Sequence, residues 1–365
     1  MEAEARQETL WSCRVGRCLI MLTNVLVMAI GMGLVSTCGG ANDRDEKRAG
    51  DNGNYCTATA TAVFEACQDE VESDYALASA VCINVSDNRE RSRCVTNAAA
   101  SRRDGDELCA SQLTARREVC QLVGEDRYDP DFDPRQFEDD FTSLSNPNRY
   151  FPLGIGYRGE YRGGSEVVTV EVLNKAKLIE GVTCIVVRDR VTANGDLIED
   201  TDDWFAQAKD GNVWYCGEEV KDYETFEGDD PKTPELVSID GSFKAGRDGA
   251  KPGIIFRASP VPGEVYREEF SLGNAEDVTE VLATTYAFGA DRELDRFVPR
   301  KLAQLLCAGD CIVTRNFSPI EPGIFARKYW AAGIGFFLEV NPSTGEVTQL
   351  VDCNFDPRCE TLPRP

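Results

Sequence analysis

The fold of the N-terminal half is decided by residues 55–123, which read YCTATATAVFEACQDEVESDYALASAVCINVSDNRERSRCVTNAAASRRDGDELCASQLTARREVCQLV. Six cysteines in this stretch are separated by 11, 15, 12, 15 and 11 positions, so their spacing is palindromic. If the chain folds back near Asn88, the cysteines face one another in nested pairs, which are Cys82 with Cys94, Cys67 with Cys109, and Cys56 with Cys120.

The composition between the cysteines favours helix. Residues 57–85 are rich in alanine and contain neither proline nor glycine, and residues 89–100 and 107–123 are similar. On a helix, steps of 11 and 15 residues return to within about 20° and 60° of the starting direction, so each arm keeps its cysteines near one face. The sequence predicts an antiparallel helical hairpin, residues 55–123, held by three disulfides. Asp104-Gly105-Asp106 is expected to interrupt its second arm.

Other arrangements of the six cysteines fit less well. Three separate helices in an up-down-up bundle would leave three cysteines at each end, and an odd number cannot pair completely. A metal site is disfavoured because the chain has no histidine and this region has no Cys-x-x-Cys pair. The hairpin is interpreted as a rigid spacer or a platform for protein contacts, without a catalytic motif.

An export signal precedes the hairpin. Arg14 and Arg17 come before an apolar run, residues 19–35, and small residues lead to Cys38. This pattern, residues 1–38, resembles a lipoprotein signal in which Cys38 becomes the lipidated first residue. A plain signal peptide and an uncleaved membrane anchor are the alternatives. We expect an exported bacterial envelope protein, bound to the cell membrane or outer membrane through an N-terminal lipid or helix and facing the periplasm or the exterior.

The cysteine count and the net charge limit the partners. The chain has 15 cysteines, and twelve remain outside the signal and Cys38, an even number that is typical of disulfides in an exported protein. The formal net charge of −24 argues against nucleic-acid binding, which requires a basic surface. It also argues against a basic patch on anionic lipids, so the anchor should supply the membrane contact.

Two linkers are predicted beside the hairpin, a flexible one at residues 39–54 and an acidic one at residues 124–146. The acidic linker contains Asp129, Asp131 and Asp133 at alternate positions, as calcium-binding loops do. Pro134 stands where such a loop needs its turning glycine. The segment is therefore interpreted as a solvated linker.

Residues 147–352 have the alternating pattern of an antiparallel β-domain, followed by a C-terminal tail, residues 353–365. Asn194-Gly195 and Asp210-Gly211 favour two-residue hairpin turns between strands 182–192, 197–207 and 213–219. Those turns place Phe205 opposite both Cys184 and Cys216, with Trp204 on the core side. The two cysteines then lie about 9.6 Å apart, so a disulfide between them requires a bulge or strong curvature.

Further along, six more strands are predicted, at residues 266–272, 280–288, 312–317, 325–330, 336–340 and 347–351. A helix is expected at residues 291–306, with Pro299 as a break. Two cysteine pairs are close enough in sequence for local disulfides, Cys307 with Cys311 and Cys353 with Cys359. The predicted fold class is α+β: a disulfide-stapled helical hairpin followed by a curved sheet, half-barrel or sandwich.

Four motifs carry a resemblance: Asp203-Trp204-Phe205-Ala206-Gln207, Asp210-Gly211-Asn212-Val213-Trp214-Tyr215, Glu321-Pro322-Gly323 and Ala332-Gly333-Ile334-Gly335. They resemble an uncharacterised group of secreted bacterial β-rich proteins. The resemblance covers residues 147–351 and leaves out the cysteine hairpin. It implies a β-rich fold, and no activity is carried over from it.

The absence of histidine excludes Ser-His-Asp and Cys-His catalysis. A binding or structural role is preferred, with no cofactor and no metal, and with an apolar small ligand or another envelope protein as partner. Phe205 and Trp214 are the candidates to face a ligand. The alternative is a carboxylate-dependent hydrolase such as a glycosidase, because Asp202, Asp203 and Glu218 lie near Trp204 and Trp214 in sequence.

Overall fold

The computed structural model describes residues 53–365. The predicted signal at residues 1–38, the lipidation site Cys38 and most of the first linker lie outside the described residues. Three α-helices and sixteen strands follow. The helices are α1 (Tyr55–Ile83), α2 (Asn88–Val123) and α3 (Arg300–Leu306). Neither long helix has the apolar stretch that crossing a bilayer requires, within residues 53–365.

Helices α1 and α2 form the stapled hairpin. Its three disulfides are the nested pairs of the palindrome, Cys56–Cys120, Cys67–Cys109 and Cys82–Cys94, with Cα–Cα distances of 5.6, 5.8 and 5.5 Å. The side chain of Asp87 accepts from the backbone N–H groups of Arg89 and Glu90, at 2.8 and 2.9 Å, and so caps the start of α2. The hairpin therefore reverses where the sequence predicts the turn.

The expected interruption at Gly105 does not occur, because α2 is continuous through it. A Cβ placed on Gly105 would lie 2.8 Å from Cγ2 of Val71 on α1. The glycine serves close helix–helix packing in the middle of the hairpin. A local propensity against helix is outweighed here by the tertiary contact.

The base of the hairpin is tied together by Glu125, just after α2. Its carboxylate accepts from the backbone N–H of Thr57 at 2.9 Å and from the Thr57 hydroxyl at 2.5 Å. These hydrogen bonds lower the pKa of Glu125. The backbone N–H groups in the first turn of α1 lack partners within the helix. The Glu125 carboxylate caps that of Thr57, and the Glu125 carbonyl accepts from those of Tyr55 and Cys56 at 2.9 and 3.4 Å.

The strands form a nearly closed, barrel-shaped antiparallel sheet. They are β1 (Arg158–Gly163), β2 (Glu166–Ile179), β3 (Val182–Ala193), β4 (Asp196–Gln207), β5 (Val213–Glu219), β6 (Asp222–Glu224), β7 (Glu235–Ser238), β8 (Phe243–Lys244), β9 (Lys251–Phe256), β10 (Val265–Arg267), β11 (Glu269–Phe270), β12 (Val278–Tyr286), β13 (Cys311–Phe317), β14 (Phe325–Ala331), β15 (Gly335–Val340) and β16 (Val347–Cys353). The order is β10-β12-β13-β14-β15-β16-β1-β2-β3-β4-β5-β9-β11. Its two end strands, β10 and β11, are separated in sequence only by Glu268.

The interior of this sheet is filled with apolar side chains. Among the largest side chains with almost no exposure are Tyr329, Phe256, Phe337, Ile185, Leu338 and Leu350. A second, smaller cluster lies on the outer face, where Phe132 and Phe137 of the acidic segment pack near Trp214, with ring centroids 5.7 and 5.8 Å away. The segment at residues 124–146 therefore lies along the wall of the sheet through its aromatic residues.

The observed register of β3 and β4 differs by one residue from the predicted register. An irregularity between Val191 and Thr192 places Phe205 opposite Ile185, whereas the Asn194-Gly195 turn alone would place it opposite Cys184. A one-residue slip exchanges the two faces of a strand. As a result Phe205 belongs to the interior and Trp204, predicted on the core side, packs in the outer cluster.

The same irregularities allow the disulfide between Cys184 and Cys216. The two cysteines lie on β3 and β5, on either side of β4, with a Cα–Cα distance of 6.8 Å. A bulge between Trp204 and Phe205 shifts the β4–β5 register next to Cys216. The small side chain of Ala206, fully buried in the same cluster, lies on the strand that the disulfide crosses.

The helix expected at residues 291–306 is shorter than predicted. Residues before Pro299 form turns, with Phe297 at φ 67°, and α3 begins only at Arg300. Proline is tolerated at a helix start but not inside one, so the break falls where proline permits it. Cys307–Cys311 follows α3, and Cys353–Cys359 fixes a short 3-10 turn, Pro357–Thr361, in the C-terminal tail.

A buried ion pair joins the hairpin to the sheet. The guanidinium of Arg116 on α2 donates to Glu276, in the loop before β12, at 2.8 and 3.0 Å, and the two side chains are 5% and 1% exposed. Glu276 also accepts from the backbone N–H of Gly273 at 2.7 Å. One turn away, Gln112 donates to the carbonyl of Ile320 at 2.9 Å. These contacts fix the hairpin against loops of the sheet.

We expect Arg116→Met to lower the free energy of unfolding by about 3–5 kcal/mol, because Glu276 would remain buried without its cation. The double variant Arg116→Met/Glu276→Gln should be closer to the wild type than Arg116→Met, since no uncompensated charge remains and the new amide oxygen can still accept from Gly273. Denaturant unfolding of the disulfide-intact protein measures all four members of the cycle. Additive losses would contradict this account.

Candidate ligand-binding site

A cavity of about 790 Å³ lies between the base of the hairpin and the sheet. Five cationic side chains line it, Arg116, Arg127, Lys251, Arg257 and Arg267, together with three acidic ones, Asp126, Asp129 and Glu276. Five aromatic side chains also line it, Tyr55, Tyr128, Trp214, Tyr266 and Phe270. A surplus of cations is unexpected in a chain of net charge −24.

Three parts of the fold meet at this cavity. The start of α1 brings Tyr55 and Cys56, and the segment after α2 brings Arg127 and Tyr128. Strands β5, β9 and β10 supply the opposite wall. The Cys56–Cys120 disulfide closes the hairpin at the rim of the cavity, so the first two parts are held in fixed relation.

Most cations of the cavity have a partner in the protein. Lys251 pairs with Asp129 at 2.6 Å, and Nε of Arg257 lies 3.1 Å from Glu264. Cζ of Arg127 lies 3.9 Å from the centroid of the Tyr55 ring, a cation–π contact. With the Arg116–Glu276 pair counted, Arg127 and one further cation have no ion pair among the described residues. Arg127 is exposed, whereas the other cation is part-buried.

That cation is Arg267, at the end of β10. Within residues 53–365 it forms no ion pair, and its one side-chain hydrogen bond is to Sγ of Cys56, at 3.5 Å. Its Cζ lies 5.8 and 5.4 Å from the ring centroids of Tyr128 and Phe270. Burial lowers the pKa of Arg267, opposed by the nearby Glu276. A guanidinium nevertheless stays protonated at neutral pH.

Tyr128 and Phe270 form the aromatic side of the Arg267 environment. Their ring centroids are 4.8 Å apart, and the Tyr128 hydroxyl donates to the carbonyl of Pro252 at 3.0 Å. Burial raises the pKa of Tyr128 to about 12, opposed by Arg267 and Arg257. The tyrosine is therefore neutral and fixed, and it presents an apolar face beside a guanidinium.

The arrangement can bind an organic anion. A guanidinium offers planar hydrogen-bond donors to a carboxylate, sulfonate or phosphate group, and its desolvation in a part-buried cavity strengthens that contact. The flanking rings offer apolar surface to the rest of the molecule. The cavity thus differs from the apolar pocket that the sequence predicts.

Of the two predicted ligand-facing residues, only Trp214 lines this cavity. Phe205 instead packs in the sheet interior against Phe151 and Tyr215, with centroids 5.1 and 4.9 Å apart, because of the register shift described above. Sequence reasoning did not find Arg267 or Tyr128. Arg267 lies in a short strand and Tyr128 in an acidic segment, and neither stretch has a sequence pattern that indicates a binding site.

Two of the three carboxylates of the hydrolase alternative are brought together, but inside the sheet, whereas Asp202 lies opposite Glu219 and is half-buried. Asp203 and Glu218 are cross-strand partners on β4 and β5, 0% and 1% exposed, and the Tyr215 hydroxyl donates to Asp203. Neither carboxylate lines the cavity described above, and Trp204 lies on the opposite face. No group of three metal-ligating side chains is found in the part of the chain that the structure describes.

These carboxyl groups have strongly shifted acidities. Burial raises the pKa of Glu218 well above its usual range, and the neighbouring Glu269 and Asp203 raise it further. The pKa values of Asp203 and Glu269 are raised in the same direction, again chiefly by burial. The folded protein therefore favours the protonated form of these groups more strongly than its unfolded chain does.

The comparisons with known proteins add little. No protein-family model matches the chain, and no curated protein matches it significantly. The chain is similar to a solved structure, "a putative lipoprotein from Parabacteroides distasonis ATCC 8503", at 11% identity over 57% of this chain and 100% of that chain, with a TM-score of 0.26. So low a TM-score carries no argument about fold or function, and the resemblance to secreted β-rich proteins stays a prediction.

We expect the protein to lose stability as the pH rises from about 5 to 8, and Glu218→Gln to reduce that loss. A carboxyl with a raised pKa in the folded state stabilises fully below its unfolded pKa of about 4.3, and its contribution is lost as the pH approaches the folded value. Denaturant unfolding at pH 5 and at pH 8 measures the loss of unfolding free energy in both proteins. Glu218→Gln should reduce this loss by about 1–3 kcal/mol at pH 8.

The matched control is Glu219→Gln, which removes the same charge from the next residue. Glu219 is exposed and paired with Lys221, which lowers its pKa, so its neutralisation should not reduce the loss of stability at high pH. Equal pH dependence in wild type and Glu218→Gln would contradict a raised pKa of Glu218.

Proposed function

We propose that this protein is an exported envelope lipoprotein whose folded part binds a small organic anion in the cavity between the hairpin and the sheet. The observation that carries the proposal is the part-buried Arg267, which forms no ion pair within the described residues and lies against two aromatic rings. A desolvated cation without a carboxylate partner favours an anionic ligand.

Export and anchoring are supported by two observations. The sequence places a positive flank, an apolar run and a small-residue segment before Cys38. In residues 53–365, all twelve cysteines are paired in six disulfides. Disulfides persist in oxidising compartments, which supports a location outside the cytoplasm.

The anchor is tested on protein purified from its own cells. Mass spectrometry of the N-terminal peptide should find Cys38 as the first residue carrying lipid, and Cys38→Ser should shift the protein from the membrane to the soluble fraction. An unmodified chain that keeps residues 1–38 would instead establish an uncleaved anchor. The same sample, analysed without denaturation, shows which small molecules co-purify.

Anion binding is tested with 8-anilinonaphthalene-1-sulfonate, an aromatic sulfonate whose fluorescence rises on binding. Arg267→Met should weaken its affinity about tenfold or more, because a hydrogen bond to a charged group contributes about 1.5–3 kcal/mol. Arg267→Lys keeps the charge without the planar donor fork and should lie between the two.

The control is Arg247→Met, which removes a charge from an exposed turn outside the cavity. It should leave the affinity within about twofold of the wild type, since exposed charges act weakly at a distance. Thermal unfolding establishes that each variant is folded. If Arg247→Met and Arg267→Met weaken binding equally, the effect is one of net charge and the proposed site is refuted.

A further inference from the structure

A second cavity continues from the first along the hairpin. It measures about 980 Å³, and Thr59, Ala62, Arg116 and Leu272 line both cavities, so the two adjoin. Its lining follows α1 from Thr59 to Ala78 and α2 back from Arg116 to Ala98. At 1.5 Å per residue, this is a groove of about 28 Å beside α1.

The lining of this groove is mainly apolar and partly open to solvent. Apart from alanines, its apolar side chains are Val63, Val71, Tyr75, Leu108, Leu272 and Ile320. Leu108 and Leu272 are 38% and 45% exposed. Exposed leucines that line one groove, here from α2 and from the loop after β11, form the kind of surface that a partner molecule covers.

The cavity and the groove differ in the charge of their lining residues. The first cavity holds the cations Arg127 and Arg267, whereas the groove is bordered by Glu70, Asp74 and Asp240. The one cation at the far end of the groove, Arg102, pairs with Glu72. Between the two regions, the Arg116–Glu276 pair is compensated. A ligand that fills both therefore has its negative charge at the base of the hairpin.

The site is also rigid. The Cys56–Cys120 disulfide lines the first cavity, and Cys67 and Cys109, which are bonded to each other, line the groove. The two helices cannot separate to release or admit a partner element. A preformed groove lowers the ordering cost of binding a flexible chain.

We infer that the cavity and the groove together bind a single-chain amphipathic anion, with its head group beside Arg267 and its alkyl chain along the hairpin. This inference rests on the proposed function and specifies its ligand class. Charge complementarity at one end and apolar walls over the rest favour this ligand over a compact anion, which would leave the groove empty.

The experiment compares hexanoate, decanoate and tetradecanoate by calorimetry, each below its critical micelle concentration. Affinity for the wild type should rise with chain length, by at least about tenfold from hexanoate to tetradecanoate, because each fully buried methylene lowers the Kd up to about fourfold. Arg267→Met should weaken binding of all three.

Ala66→Trp fills the groove from an exposed position on α1 and should remove the gain with chain length while leaving hexanoate binding unchanged. Ala76→Trp is the matched control, because Ala76 is exposed on the same helix and lies outside the groove. Ala76→Trp should keep the full increase in affinity with chain length.

The outcomes separate the two proposals. If hexanoate and the aromatic sulfonate bind in an Arg267-dependent way without a gain for longer chains, the groove inference is overturned and the proposed function stands. A gain that survives Ala66→Trp also overturns it. Association only with phosphatidylglycerol vesicles would indicate a membrane-surface contact and overturn it as well. If no probe depends on Arg267, the proposed function itself fails.

Discussion

The ion pair between Arg116 and Glu276 is the contact on which the arrangement of the two parts depends. It is buried, bidentate and reinforced by the backbone N–H of Gly273. Two desolvated charges are stable only together and in one geometry, so the pair fixes where the hairpin sits on the sheet. Both cavities lie beside it, and Arg116 lines each of them.

The disulfides and this ion pair stabilise different parts of the structure. They hold α1 and α2 in register along their whole length, whereas the ion pair and the Gln112–Ile320 hydrogen bond hold the hairpin to the sheet. A thin two-helix element has little core of its own, and the covalent links compensate for that. The result is a stiff wall on which a groove can persist without a ligand.

The inside and the outside of the sheet have different roles. Its interior is packed with large apolar side chains, and the cavity proposed to bind a ligand lies outside it, where the sheet meets the hairpin. Burial, and then neighbouring carboxylates, raise the pKa values of the carboxyl groups inside it, Asp203, Glu218 and Glu269. These raised pKa values link the stability of the sheet to pH.

The sequence alone determined the hairpin, its three nested disulfides and most of the strands, because cysteine spacing, alanine content and alternation are local signals. Tertiary structure decided the rest. The bulges that exchanged Phe205 and Trp204 between faces are irregularities in the pairing of β3, β4 and β5, which local alternation does not specify. Gly105 stays helical because Val71 packs against it. The Arg267 site joins segments far apart in sequence, from Tyr55 to Phe270. No local sequence pattern indicates that these segments come together.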